Sequence, residues 1–153
     1  MIDDLAQSTD DVLNLSYTFD ASIDRVFAAW TKPELLKQWW GPEGSSLVLI
    51  EVDLQIGGKY RIGIRQPTDE VYFVGGQYQV LDPPHQLAFT WRWEEPKMDF
   101  GNSLVHLMFQ SLGKQTKLTL THERLPTPEL RSHHRGGWVS MMGKLGNYIQ
   151  TLT

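Results

Sequence analysis

Histidine is the side chain best suited to proton chemistry in this sequence, which has five histidines and no cysteine. His122 closes the run Leu118-Thr119-Leu120-Thr121-His122. An imidazole facing a pocket there would serve as a general base. Glu123 follows directly, but consecutive strand residues face opposite sides, so the two do not form an acid–base pair. His133 and His134 are adjacent, and on a helix their side chains diverge by about 100° and cannot chelate one ion. His106 and His122 fall on strands expected to be neighbours and share a side only if the register allows it. There is no HExxH and no carboxylate–histidine cluster, so no metal site is expected. There is no GxSxG, and Ser111 and Ser140 have no evident base beside them. Gly57-Gly58 and Gly75-Gly76 lack the strand–loop–helix context of phosphate-binding motifs and read as a hairpin turn and a bulge. No catalytic residue and no cofactor is assigned. The absence of cysteine also removes disulfides, thiolate metal sites and cysteine nucleophiles.

Rings are the stronger signal. Six tryptophans, six phenylalanines and five tyrosines make up 11% of the chain. Such rings fill a core or line an apolar ligand cavity. Trp39 and Trp40 are adjacent and point different ways, so both cannot fill one core slot, which leaves one for a cavity mouth. Trp91-Arg92-Trp93 interleaves rings with a cation, as a nucleic-acid stacking platform does. The net charge of −4, the pI near 5.7 and the lack of a basic stripe argue against nucleic acid and anionic membranes as partners. No apolar run reaches the length of a membrane span, and the acidic start MIDDLAQSTDD lacks the order of a signal peptide. A cytoplasmic location is expected.

These side chains must be positioned by a single domain, the usual case for 153 residues. Residues 1–11 read as a flexible arm and 12–153 as the domain. Leu13, Leu15, Tyr17 and Phe19 alternate with polar residues, the mark of a strand with one buried face. Ser22 is placed to cap a helix over Ile23–Trp30, and Pro33 to begin a second short one carrying Leu35, Leu36, Trp39 and Trp40. From Ser45 to Glu123 the period is two, in six strands joined by short hairpins. Met108 and His106 oppose Val105, Leu107 and Phe109; Leu118, Leu120 and His122 share one side. A long helix is expected over about Thr127–Leu152, with Leu130, His134, Trp138, Met141, Leu145, Tyr148 and Leu152 on one face. Gly136-Gly137 weakens it by about 1 kcal/mol per glycine. Either the helix begins at Trp138, or the glycines let a neighbour pack closely. The order defines an α+β fold: a seven-stranded antiparallel sheet wrapped round a long C-terminal helix, with two short helices after the first strand.

Several runs carry a family resemblance. They are Phe19-Asp20-Ala21-Ser22-Ile23-Asp24-Arg25-Val26-Phe27-Ala28-Ala29-Trp30 with Pro33 to Pro42, Val52 to Arg61, Gly76-Gln77-Tyr78 with Asp82 to Trp91, Thr116 to His122, and His134-Arg135-Gly136-Gly137-Trp138. Over about Leu13 to Leu152 the chain resembles the SRPBCC, or START-like, superfamily. Within it, the chain is similar to the family named for the C-terminal domain of the heat-shock ATPase activator. The resemblance implies a helix-grip fold, in which a curved sheet grips the C-terminal helix around a cavity closed at one end by the two short helices. The superfamily includes lipid carriers, hormone receptors, cyclases and oxygenase subunits, so the fold alone does not choose a function.

The first expectation is a protein that binds a small apolar or aromatic ligand between sheet and last helix. Strand parity assigns Trp40, Tyr60, Tyr78, Phe89, Trp91, His122, Trp138, Met141 and Met142 to the wall. Trp40 would act as a gate and His122 would orient the ligand, while the methionines adapt to its shape. The second is an enzyme of cyclase or hydrolase type in the same pocket, needing His122 or His106 within hydrogen-bond reach of a second ionisable group. The third is a co-chaperone-like interaction module, needing an exposed apolar patch. A chaperone partner is disfavoured, because the eukaryotic activators carry a further N-terminal domain and only residues 1–11 precede this one. Free strand edges are compatible with a homodimer.

Overall fold

A computed structural model describes residues 11–152. The expected arm over residues 1–11 therefore lies outside the described residues except for Asp11. The Asp11 carbonyl accepts from the Leu125 N–H at 2.9 Å, and its carboxylate stands 3.4 Å from Arg131.

The chain runs β1 (Leu13–Phe19), α1 (Ile23–Thr31), α2 (Pro33–Trp39), β2 (Ser46–Val52), β3 (Lys59–Arg65), β4 (Val71–Asp82), β5 (Gln86–Trp93), β6 (Ser103–Leu112), β7 (Gln115–Glu123) and α3 (Pro128–Ile149), with a closing 3₁₀ turn over Gln150–Leu152. The strands form one curved antiparallel sheet in the order β1-β7-β6-β5-β4-β3-β2. This is the helix-grip fold, with α3 as the gripped helix. Period-two alternation aligns the inward side chains in rows across the sheet. One row runs Leu13, His122, Val105, Phe89 and Tyr78, each the register partner of the next, and all five are buried.

Local signals act in places other than the simplest reading suggests. Ser22 occupies the N-cap position of α1 but makes no capping hydrogen bond through its side chain. Pro33 stands in the first turn of α2, where its missing N–H costs nothing. Thr127 caps α3 by accepting from the Leu130 N–H at 3.1 Å. The helix therefore starts at Pro128 and runs through Gly136-Gly137. Its buried face comprises His134, Trp138, Met141, Met142, Leu145, Gly146 and Ile149, with Ile149 in place of the expected Tyr148. The face is wider than a single heptad seam, as a helix in a concave sheet requires.

Gly75-Gly76 is not the bulge of β4. The register shifts against β5 between Tyr78 and Val80, and β2 shifts against β3 between Leu47 and Leu49. The glycines instead allow close backbone approach: a Cβ on Gly76 would run into the Thr90 carbonyl oxygen, and one on Gly75 would come within 2.6 Å of the Tyr60 carbonyl. Gly76→Ala should accordingly destabilise the fold by about 2–3 kcal/mol in urea titration. A loss below about 0.5 kcal/mol would show that β4 and β5 can part there without cost.

Candidate ligand-binding site

The inner face of the sheet and the first half of α3 flank a cavity of about 630 Å³ that opens to solvent past the exposed Ser132, His133 and Gly136. From the sheet come Ile64 and Gln66 at the end of β3, Tyr72 on β4, and Trp91 and Trp93 on β5. From α3 come Ser132, His133, His134, Gly136, Gly137, Trp138 and Met141. Trp40, Pro42 and Met98 close the sides. None of these side chains is a carboxylate, a lysine or an arginine. The volume lies in the range of small-molecule sites, which pair apolar walls with a few polar groups.

Of the residues assigned to the wall from sequence, Trp40, Trp91, Trp138 and Met141 line this cavity. Tyr60, Tyr78 and Phe89 surround a separate void of about 20 Å³, which Trp40 and Trp30 also border. Burial, with Tyr78 close by, raises the Tyr60 pKa well above its usual value, and burial pushes Tyr78 up to about 12, so both phenols stay protonated. The Tyr60 hydroxyl donates to the Thr90 carbonyl at 2.6 Å. His122 and Met142 are fully buried and line neither space. Parity along β5 extends from Trp91 to Trp93, and helical spacing of four extends from Trp138 to His134 and from Met141 to Gly137. Those extensions carry the wall residues that the first reading omits.

His122 is held from both sides. The Trp138 indole N–H donates to Nδ1 at 3.1 Å. An indole can only donate, so Nδ1 is the acceptor and Nε2 carries the proton. That N–H gives to Ser103 Oγ at 2.8 Å, and Ser103 gives its own hydrogen to the Trp91 carbonyl at 3.0 Å. A serine and histidine at this distance resemble a nucleophile and its base. Here the imidazole presents N–H to the serine and cannot take its proton. His106 contacts only the Gln86 side-chain oxygen, at 3.1 Å, among its described hydrogen bonds. Neither histidine thus reaches a second ionisable group by these bonds. Ser103→Ala should leave a buried N–H without an acceptor and cost about 1–3 kcal/mol, read by chemical denaturation. A neutral result would mean that water takes the place of the serine oxygen as acceptor.

His134 has the opposite tautomer for the same reason. Trp93 donates its indole N–H to Nε2 at 3.1 Å, and Nδ1–H donates to the Leu130 carbonyl at 2.9 Å. The His122 and His134 ring centroids are 5.2 Å apart. Burial, with His134 nearby, lowers the His122 pKa well below the ordinary 6.5. Burial also lowers that of His134; the Leu130 carbonyl opposes the shift and His133 adds to it.

The α2–β2 loop presents Trp40 and Pro42 to the cavity and is strapped to α3. The Gly41 N–H meets Met141 Sδ at 3.1 Å, the Glu43 N–H donates to Ser140 Oγ at 3.0 Å, and Lys144 Nζ donates to the Gly41 carbonyl at 3.0 Å. Gly41 has φ +96, which only glycine adopts without strain. Trp39 faces the other way, fully buried, with its indole N–H on the Ala29 carbonyl at 3.1 Å. All six tryptophans join in one chain of ring contacts: Trp39 to Trp30 (4.7 Å) and to Trp40 (5.4 Å), Trp40 to Trp138 (5.8 Å), Trp138 to Trp91 (5.1 Å), and Trp91 to Trp93 (5.5 Å). The indole N–H groups of Trp30, Trp40 and Trp91 are buried without a protein acceptor.

A curved sheet gripping a long helix around an aromatic cavity defines the SRPBCC class of domain. Residues 20–150 match the family model described as "Activator of Hsp90 ATPase homolog 1-like protein", and the chain belongs to that family. No curated protein matches the sequence. Among solved structures, the AHSA1 protein of Silicibacter pomeroyi is 28% identical with a TM-score of 0.82, covering 93% of this chain and 99% of its own. A Chromobacterium violaceum protein is 22% identical with a TM-score of 0.85, covering 92% and 98%. A Mycobacterium smegmatis protein is 20% identical with a TM-score of 0.82, covering 99% and 96%. The last two likenesses establish the fold alone. Among the described residues no helix is long and apolar enough to cross a membrane, and no group of three or more histidines and carboxylates could hold a metal ion.

Proposed function

We propose that the protein binds a small apolar or aromatic molecule in the cavity between β3–β5 and α3. The observation that carries this reading is a space of about 630 Å³ walled by four tryptophans, two methionines and no charged side chain. Burying apolar area against such walls stabilises a complex by about 25 cal/mol per Å². Trp40 supplies a side of the cavity from a strapped loop and acts as its gate. His122 stands one shell back, where it fixes Trp138 and, through Ser103, the Trp91 backbone. It orients the wall that the ligand meets.

Native mass spectrometry of freshly purified protein, followed by denatured extraction, tests the reading. An excess mass of a few hundred daltons that vanishes on unfolding is the expected result, together with uptake of the neutral dye Nile red. A bare chain mass and no dye uptake would remove the reading in favour of an interaction module or an enzyme. The same spectrum reports whether the chain is a monomer or a homodimer paired through β1 or β2, the two ends of the described sheet.

A further inference from the structure

Two of the four tryptophans on the cavity wall spend their indole N–H on histidines: Trp93 on His134 and Trp138 on His122. The other two, Trp40 and Trp91, are buried and find no protein acceptor. The same holds for Trp30, whose ring centroid lies 5.9 Å from that of Trp40. Folded proteins leave few buried donors unmet, so three in one cluster call for an acceptor from outside the chain. Trp30 and Trp40 both border the void of about 20 Å³ beside Tyr60 and Tyr78. Tyr60 gives its hydrogen to the Thr90 carbonyl. The Tyr78 hydroxyl makes none of the described hydrogen bonds, although its residue is buried. Donors therefore dominate the polar groups around the void, and no charged side chain lines it. Its volume is about that of one oxygen-sized group. Trp40 is the one residue that lines both this void and the main cavity, so a turn of its ring joins the two spaces.

We infer that the void is the polar end of the binding site: an apolar ligand in the main cavity places one uncharged acceptor oxygen, that of a ketone, past the Trp40 ring and among the hydrogens of Trp30, Trp40 and Tyr78. The inference rests on the binding function proposed above. A ketone accepts hydrogen bonds and donates none, which matches a site that offers donors. A carboxylate would also accept, but its charge would lose its hydration with no cation on either wall to offset it.

The test uses three ligands of similar shape: benzophenone, diphenylmethane, which lacks the oxygen, and diphenylacetate, which is anionic. Each is titrated calorimetrically into the parent and into Trp40→Phe and Tyr78→Phe, which keep a ring and lose one donor. Thermal melting checks that both variants fold. A wall without donors favours the hydrocarbon, because the ketone leaves its water bonds behind. The parent should instead prefer benzophenone to diphenylmethane by about tenfold, and to diphenylacetate by at least as much. In each variant the ratio of ketone to hydrocarbon affinity should fall by about threefold or more. A purely structural role would move both affinities together and leave that ratio unchanged, which would overturn the placement of the oxygen. Equal affinity of the parent for ketone and hydrocarbon would mean that water keeps the void and would overturn the inference. Tighter binding of diphenylacetate would overturn the uncharged class. A parent that takes up Nile red but no ketone would overturn the inference and leave the cavity as the binding site. Uptake of neither would end the binding function as well.

Discussion

Trp138→Ala is expected to cost about 3–5 kcal/mol of stability and to abolish uptake of Nile red. Trp138 is 1% exposed, and its ring meets Trp91, Trp40 and Trp30 at 5.1, 5.8 and 6.1 Å. Removing it joins the cavity to the core. It also leaves His122 Nδ1 buried without its donor, a further penalty of about 1–3 kcal/mol if no water replaces it. The total approaches the whole stability of an ordinary domain, so the variant has a companion. Trp138→Phe retains a ring at the wall and loses only the N–H. It should fold with a loss of about 1–3 kcal/mol and keep part of the dye affinity. Full binding by a folded Trp138→Ala protein would remove the residue from the wall.

Acid should destabilise the fold steeply below pH 6.5. His122 and His134 each accept an indole hydrogen bond at one nitrogen and donate from the other. A protonated imidazole has no acceptor, so charging either ring breaks a tryptophan bond. The groups facing this pair are each other and, on α3, His133; no carboxylate figures among the causes of either shift. Both folded pKa values are therefore depressed, while unfolded histidines titrate near 6.5. Above that pH neither state binds these protons and the two histidines leave stability unchanged. As pH falls through it, the unfolded chain takes up protons that the folded one refuses, and stability declines until the folded pKa values are reached. The slope tends toward about 1.4 kcal/mol per pH unit for His122, whose pKa lies well below 6.5, and is smaller for His134, whose pKa is lowered less far. Urea titrations between pH 7.5 and 5 read it directly. His134→Gln, whose amide can both donate and accept, should lessen the slope. A flat profile would mean that the folded rings take up protons as readily as the unfolded ones.

The succession of seven strands, the two short helices and the long C-terminal one is legible in the sequence, because period-two runs and a terminal segment with apolar residues at helical spacing leave little choice, whereas the pairing of β1 with β7 joins segments about a hundred residues apart and leaves no local mark. The cavity wall is half legible. Trp91 and Trp138 follow from parity and helical spacing. Tyr60, Tyr78 and Phe89 share the inner face with them, yet sit at a part of the sheet where α2 and β2 already fill the space. Parity tells which face a side chain takes but not what opposes it. The irregularities of β2 and β4 leave no glycine mark: they fall at Val48 and Gln79, ordinary residues, whereas the conspicuous Gly75-Gly76 serves a close approach to the carbonyls of Tyr60 and Thr90. His122 reads as a pocket group from its strand. Its true setting depends on Ser103 and Trp138, residues 19 and 16 positions away whose meeting only the fold determines.

The chain of ring contacts that joins the six tryptophans has an optical consequence. With each indole centroid within 5.8 Å of another, the transitions of the six are coupled and no single tryptophan absorbs or emits alone. Near-ultraviolet circular dichroism and intrinsic fluorescence report a collective state. A molecule entering the cavity touches four of the six rings and perturbs the spectrum of all of them, so the protein carries its own gauge of occupancy and needs no attached label.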